Sequence, residues 1–146
     1  MIVKKAYLLI AAAFLVHAVA WFLPVDKDGV TLLDGLPGWQ AFEMAASEVV
    51  KWKIDPWWFV VLLTMSAVTT ILFVLGAGWV VAIGSRRLRC VSAWIAACAF
   101  IINAHWILWI GRPGRFDLRA GYFLWWASFL LLAIGLFLLS DAMDSS

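Results

Sequence analysis

Charge is what this sequence has least of. Only 14% of its residues are Asp, Glu, Lys or Arg, and 66% are hydrophobic, whereas soluble domains carry roughly a quarter charged residues. Cysteine is almost as scarce. Cys90 and Cys98 are eight residues apart, so a straight helix separates them by about 12 Å along its axis. That exceeds the reach of a disulfide, and no disulfide framework is possible. There is no HExxH, CxxC, P-loop or Ser-His-Asp constellation, which removes the common hydrolase, thiol-redox and nucleotide classes. The net charge of +2 is too small to argue for nucleic acid.

What the chain has is long apolar runs. A bilayer span needs roughly 20 mostly apolar residues, and four such runs stand out, at about 6–23, 57–84, 91–110 and 121–140. They occupy well over half of the chain and leave no length for a soluble catalytic domain. The first run has two readings. Lys4 and Lys5 followed by an apolar stretch resemble a secretory signal, and Ala18-Val19-Ala20 supplies a cleavage pattern. The run nevertheless continues through Trp21, Phe22 and Leu23 to Pro24, and we expect it to be retained as a membrane helix.

Orientation follows from Lys and Arg. Lys4 and Lys5 precede the first run, and Arg86, Arg87 and Arg89 crowd the connection between the second and third. With four spans these share a side, which the positive-inside rule makes cytoplasmic. Arg112, Arg115 and Arg119 then fall outside, against the usual bias. They are candidates for binding an anionic lipid or an acidic partner, since guanidinium groups bind phosphate or carboxylate bidentately.

The outer loop, residues 24–56, has six acids against three lysines. Asp26-Lys27-Asp28-Gly29 and Asp34-Gly35 are turn signals, Pro37 suits a first helical turn, and Asp55-Pro56 suits the start of the second span. Between them Trp39, Phe42, Ala45, Ala46, Val49, Val50 and Trp52 segregate to one side of a helical wheel. This predicts an amphipathic helix in the interface plane, either a lid on the bundle or a docking surface in which Trp39 and Phe42 face a partner. In the second span Ser66/Thr70 and Gly78/Ala82 have the small-xxx-small spacing that lets helices approach closely. Neither the second nor the fourth span has an ionisable residue within its apolar run, which weighs against a proton-coupled transporter.

Tryptophan is abundant and lopsided. Of 11, nine fall toward the outer side and only Trp79 and Trp94 toward the inner, more than interfacial anchoring needs. Two histidines, His17 and His105, lie seven residues before Pro24 and Arg112 respectively, each about 10 Å below the outer end of its helix. Asn103 is close to the second. Two histidines at equal depth on facing helices suit axial ligation of a b-type haem, and the same layer suits a quinone. The plainer alternative is two neutral imidazoles bonded to backbone or to Asn103.

The fold expected is thus an all-α integral membrane protein. It is a four-transmembrane-helix bundle over residues 1–146 with an amphipathic helix in its first outer loop, lying in a bacterial inner membrane with both termini inside. The function expected is a non-enzymatic accessory or scaffold subunit, partnered by the lipid bilayer and other membrane subunits. The alternatives are a redox subunit binding haem or quinone near His17 and His105, and a membrane immunity or inhibitor protein. No metal site and no catalytic residue is expected.

Overall fold

The computed structural model describes residues 2–25, 35–51, 57–110 and 118–142. Every element among them is helical: α1 (Ile2–Phe22), α2 (Gly38–Lys51), α3 (Trp57–Ile71), a π-helical segment (Leu72–Gly76), α4 (Ala77–Ile83), α5 (Arg86–Asn103), α6 (His105–Ile110) and α7 (Ala120–Asp141). Four stretches are long and apolar enough to cross a bilayer: Ile2–Phe22, Val60–Ile83, Arg86–Ile107 and Ala120–Asp141. The second is one rod formed by α3, the π segment and α4, and the third runs through α5 into α6. A helix satisfies its own backbone within one segment, which is why runs of this composition adopt it.

α7 is the central helix, packed along α1 on one side and α5 on the other. Its contact with α1 rests on small residues repeated every seven positions. Ala6, Ala13 and Ala20 are buried on α1, and Gly121, Ser128 and Gly135 on α7. The helices run antiparallel: a Cβ on Gly135 would meet Ile10 and Ala6, while one on Gly121 would meet the carbonyls of Leu23 and Pro24. On the other side Ala93, Ala96 and Ala99 of α5 join Phe129, Leu132, Leu136 and Leu139 of α7 in the apolar core. Small residues let backbones approach, and close approach is what holds apolar helices together where hydrophobic burial provides little drive.

At one end of the bundle, the loop end, the chain is laced by backbone hydrogen bonds. The segment Leu23–Val25 is bonded on one side by residues 36–38, with Val25 N to Leu36 O at 2.9 Å and Gly38 N to Leu23 O at 3.2 Å. On its other side Arg119 N donates to Val25 O and Gly121 N to Pro24 O, both at 3.0 Å. Gly38 is pressed against α1, where a Cβ would lie 2.6 Å from Ala20 O and 3.0 Å from Trp21 Cα. Pro37 sits one position before α2, and its carbonyl accepts from Gln40 N and Ala41 N. α2 packs on α3 and α1. The Asp26–Gly29 turn, Asp34 and the Asp55-Pro56 start lie outside the described residues.

The opposite end carries Lys4, Lys5 and the tight connection at Gly84-Ser85, where Ser85 caps α5 by accepting from Leu88 N. The α3–π–α4 rod lies at the periphery. It meets α5 over a much shorter contact than α7 does, and Val61, Met65, Val68, Ile71, Leu75 and Trp79 along it are exposed. The two expected packing pairs separate here. Ser66 and Thr70 are buried, but Gly78 and Ala82 are exposed, and a Cβ on Gly78 would have nothing within 4 Å. Among the described residues nothing packs on Gly78, and Ala82 is open beside it.

Candidate functional site

The polar side chains gather where α5 breaks. Ala104 interrupts the helix, and hydrogen bonds tighten to three-residue spacing there: Ala104 N bonds Ile101 O at 3.2 Å and Ile107 N bonds Ala104 O at 3.0 Å. Carbonyls of Phe100 and Asn103, which regular α-geometry would pair with those amides, are taken by α7 instead. Trp126 Nε1 donates to Phe100 O at 2.7 Å, and the Tyr122 hydroxyl donates to Asn103 O at 2.6 Å. A helix break in apolar surroundings persists only where neighbours re-satisfy the freed groups, and α7 supplies both donors.

Asn103 is the hub and is fully buried. Its Oδ1 accepts from Ser66 Oγ at 2.8 Å, and its Nδ2 donates to Thr69 Oγ1 at 3.0 Å and to Ala99 O at 2.9 Å. Ser66 Oγ in turn accepts from Trp106 Nε1 at 3.0 Å. Thr70 Oγ1 donates to Ser66 O at 3.0 Å and accepts from Trp125 Nε1 at 3.1 Å. The network joins α3, α5, α6 and α7, and it uses both amide protons of Asn103 as well as its oxygen. Its members are amides, hydroxyls and indoles already engaged with one another, a set suited to fixing helices in register.

This accounts for much of the tryptophan excess. Trp106, Trp125 and Trp126 turn their N–H groups inward, Trp126 lies flat on Phe100 at 4.3 Å, and Trp21 stacks on Phe42 at 5.6 Å. The well-exposed tryptophans are Trp39 (43%) and Trp57 (73%) at the loop end, with Trp79 (65%) and Trp94 (61%) at the other. Among the described residues that is two at each end, as interfacial anchoring at both ends would place them. Trp52 and the side chain of Trp109 lie outside the described residues.

His17 lies on the α1–α7 seam. Its Nδ1 is 2.9 Å from Ser128 Oγ, and Ser128 Oγ donates to Trp125 O at 2.5 Å. A hydroxyl has one proton, so Nδ1 is the donor and the Nε2 lone pair is bare. The ring stacks on Phe73, the second residue of the π segment, at 4.1 Å and meets the edge of Phe129 at 6.0 Å. His105 follows the break, with Nδ1 donating to Ile102 O at 2.6 Å and its ring beside Trp106 at 4.6 Å. In both residues Nε2 is buried with no hydrogen-bond partner among the described residues. A donor at Nδ1 and a bare Nε2 is the form in which histidine binds metals. Yet among the described residues no three or more His, Cys, Asp or Glu come together.

The structure does not bring the two rings together. Among the described residues no hydrogen bond or ring contact joins them, and their depths differ. His17 pairs with Ser128, whereas Asn103 pairs with Tyr122, about 9 Å nearer the loop end along α7. His105 lies beyond Asn103 in the same direction, so the imidazoles are offset by roughly 10 Å along the bundle. Equal depth is the ground on which the sequence pairs them as ligands of one haem, and the fold does not provide it.

The candidate binding surface also divides. Phe42 turns inward onto Trp21, while Trp39 beside it is exposed. Arg119 is half-buried and precedes α7, its backbone bonded to Val25 and Tyr122. Arg112 and Arg115 lie outside the described residues. Sequence reasoning reads Ser66 and Thr70 only as small packing residues and counts Trp125 and Trp126 only among the nine outer tryptophans, and it does not single out Ser128 or Thr69. The available signal is a buried Asn whose hydrogen-bonding capacity must be met by something at its own depth. No family model, no curated protein and no solved structure matches this chain.

Proposed function

We propose that this chain is an integral protein of a bacterial inner membrane, with both termini cytoplasmic, acting as a non-enzymatic accessory subunit of a larger membrane assembly. Lys4, Lys5, Arg86, Arg87 and Arg89 lie at one end of the bundle, away from the laced loop end, which supports the orientation through the positive-inside rule. The accessory role is carried by one observation. The interior polar network is spent on helix register, while the α3–π–α4 rod leaves Gly78 and Ala82 uncovered. Small residues facing lipid gain nothing there, but they allow a partner's transmembrane helix to approach closely. Trp39 on α2 is a second exposed large side chain, at the loop end.

The test is purification from the native host in mild detergent, with co-purifying proteins quantified and a visible spectrum recorded. A stoichiometric membrane partner is expected, lost in Gly78→Ile/Ala82→Ile while thermal stability is unchanged. Recovery of the chain alone and colourless would sink the accessory role. A Soret band would replace it with the redox alternative.

A further inference from the structure

A narrow crevice separates the π segment from α5. Its walls are Thr69, Leu72, Phe73, Gly76 and Ala77 on one side and Ser92, Ile95, Ala96 and Ala99 on the other, and α7 forms its floor. Its volume is about 80 Å³, around half that of an apolar cavity able to hold benzene. From Ser92 to Ala99 it runs about 10 Å along the helix. The space is therefore long, thin and apolar, the shape of a stretch of one hydrocarbon chain. Gly76 opens it: a Cβ there would have nothing within 4 Å. The π turn forms part of the same wall, and π-bulges concentrate at functional positions.

The foot of the crevice is positively charged. Arg89 stands one turn below Ser92, and its Nη2 reaches across the gap between α5 and α4 to Val81 O at 3.3 Å. Arg86 and Arg87 add charge in the preceding turn. Basic groups at the cytoplasmic end of a gap between membrane helices are a recognised way of holding an anionic lipid headgroup. We infer that this crevice binds one anionic phospholipid of the cytoplasmic leaflet, its phosphate at Arg89 and a stretch of one acyl chain between the π segment and α5. Arg89 selects the headgroup and the Gly76 opening admits the chain. The inference rests on the membrane reading above. That reading is checked separately by whether carbonate washing leaves the chain in the membrane pellet.

The experiment uses the full chain in detergent with three probes: dioleoyl phosphatidylglycerol, dioleoyl phosphatidylcholine with the same chains, and glycerol phosphate without chains. Native mass spectrometry is expected to retain one phosphatidylglycerol per protein, with a rise in Tm of several degrees that neither other probe produces. Gly76→Leu, which sets a bulky side chain at the mouth of the crevice, removes that rise. Ala11→Leu, on the exposed face of α1 away from the crevice, keeps it. Arg89→Gln, which retains a donor for Val81 O but not the charge, lowers phosphatidylglycerol retention to the phosphatidylcholine level, and Arg89→Lys restores part of it. Equal retention of both lipids, or retention unaffected by Gly76→Leu, overturns the assignment. So does conversion of a dimer to a monomer by Gly76→Leu, which would make a second copy of the chain the occupant.

Discussion

Asn103 shows how one polar residue organises this bundle. Four hydrogen bonds converge on it, and removing it leaves Ser66 and Thr69 with fewer partners in a buried setting. Side-chain hydrogen bonds between apolar helices contribute about 0.6–2 kcal/mol each, so Asn103→Ala is expected to cost about 2–3 kcal/mol, read as a lowered unfolding midpoint in detergent. Tyr122→Phe is expected to cost about 1 kcal/mol, because it strands one carbonyl at the break. Tyr7→Phe, on the exposed face of α1, is the matching control and is expected to cost nothing. Equal effects of the two Tyr substitutions would show that the hydroxyl of Tyr122 does not support the break. His17 behaves differently. Its Nε2 is bare and its ring lies flat on Phe73, so His17→Phe keeps the stack and removes a buried unpaired acceptor. It also removes the Nδ1 donor to Ser128 Oγ, so the variant is expected to cost about 1–1.5 kcal/mol, the net value of one lost hydrogen bond. A loss above about 3 kcal/mol would reveal a partner for Nε2.

At the scale of elements, three glycines separate close approach from open space. Gly38 and Gly121 each touch the backbone at the loop end of α1, where a Cβ would come within 2.6 Å of a carbonyl oxygen. Neither backbone can yield without breaking the lacing around Leu23–Val25, so Gly38→Ala and Gly121→Ala are each expected to destabilise by about 1–3 kcal/mol. Gly78→Ala meets nothing and is expected to stabilise its helix by roughly 0.5–1 kcal/mol. Thermal unfolding of the three variants should give opposite signs. A shared sign would mean that helix propensity, rather than approach distance, governs these positions. α2 belongs to the same end: it begins on the Gly38 contact and turns Phe42 onto Trp21. Spin labels at residues 39–47 should show 3.6-residue periodicity in accessibility, and uniform exposure to water would mean that α2 does not dock.

For the whole molecule, the proposed topology makes a specific demand. A periplasmic phosphatase fused after Ser146 should be inactive, and the same enzyme inserted in the 26–34 stretch should be active. The reverse pattern would invert the bundle and place the Arg89 crevice in the other leaflet. The peripheral rod also predicts uneven stability. Amide exchange along α3 and α4 should be faster than along α7, because α7 is packed along its length by α1 and α5 and the rod meets α5 over a much shorter contact.

The sequence by itself determined the helices. A run of roughly 20 apolar residues satisfies its backbone locally, so hydropathy locates four candidate spans to within a few residues, and the wheel of residues 39–52 locates α2. The seven-residue spacing of Ala13 and Ala20 around His17 also marks a face fit for close approach. What only the tertiary structure decided is which polar group answers which. Phe100 and Asn103 lose their amide partners at Ala104, and the replacement donors, Trp126 and Tyr122, come from another helix. The same holds for the depths of the histidines, because counting from loop residues assumes that all spans end at one level. Break and lacing shift those levels, and His17 comes to rest on Ser128, well below Asn103. The exposure of Gly78 and Ala82 is decided in the same way. Their spacing is a property of one helix, but whether a neighbour fills it depends on where α5 and α7 find their own small residues to pack.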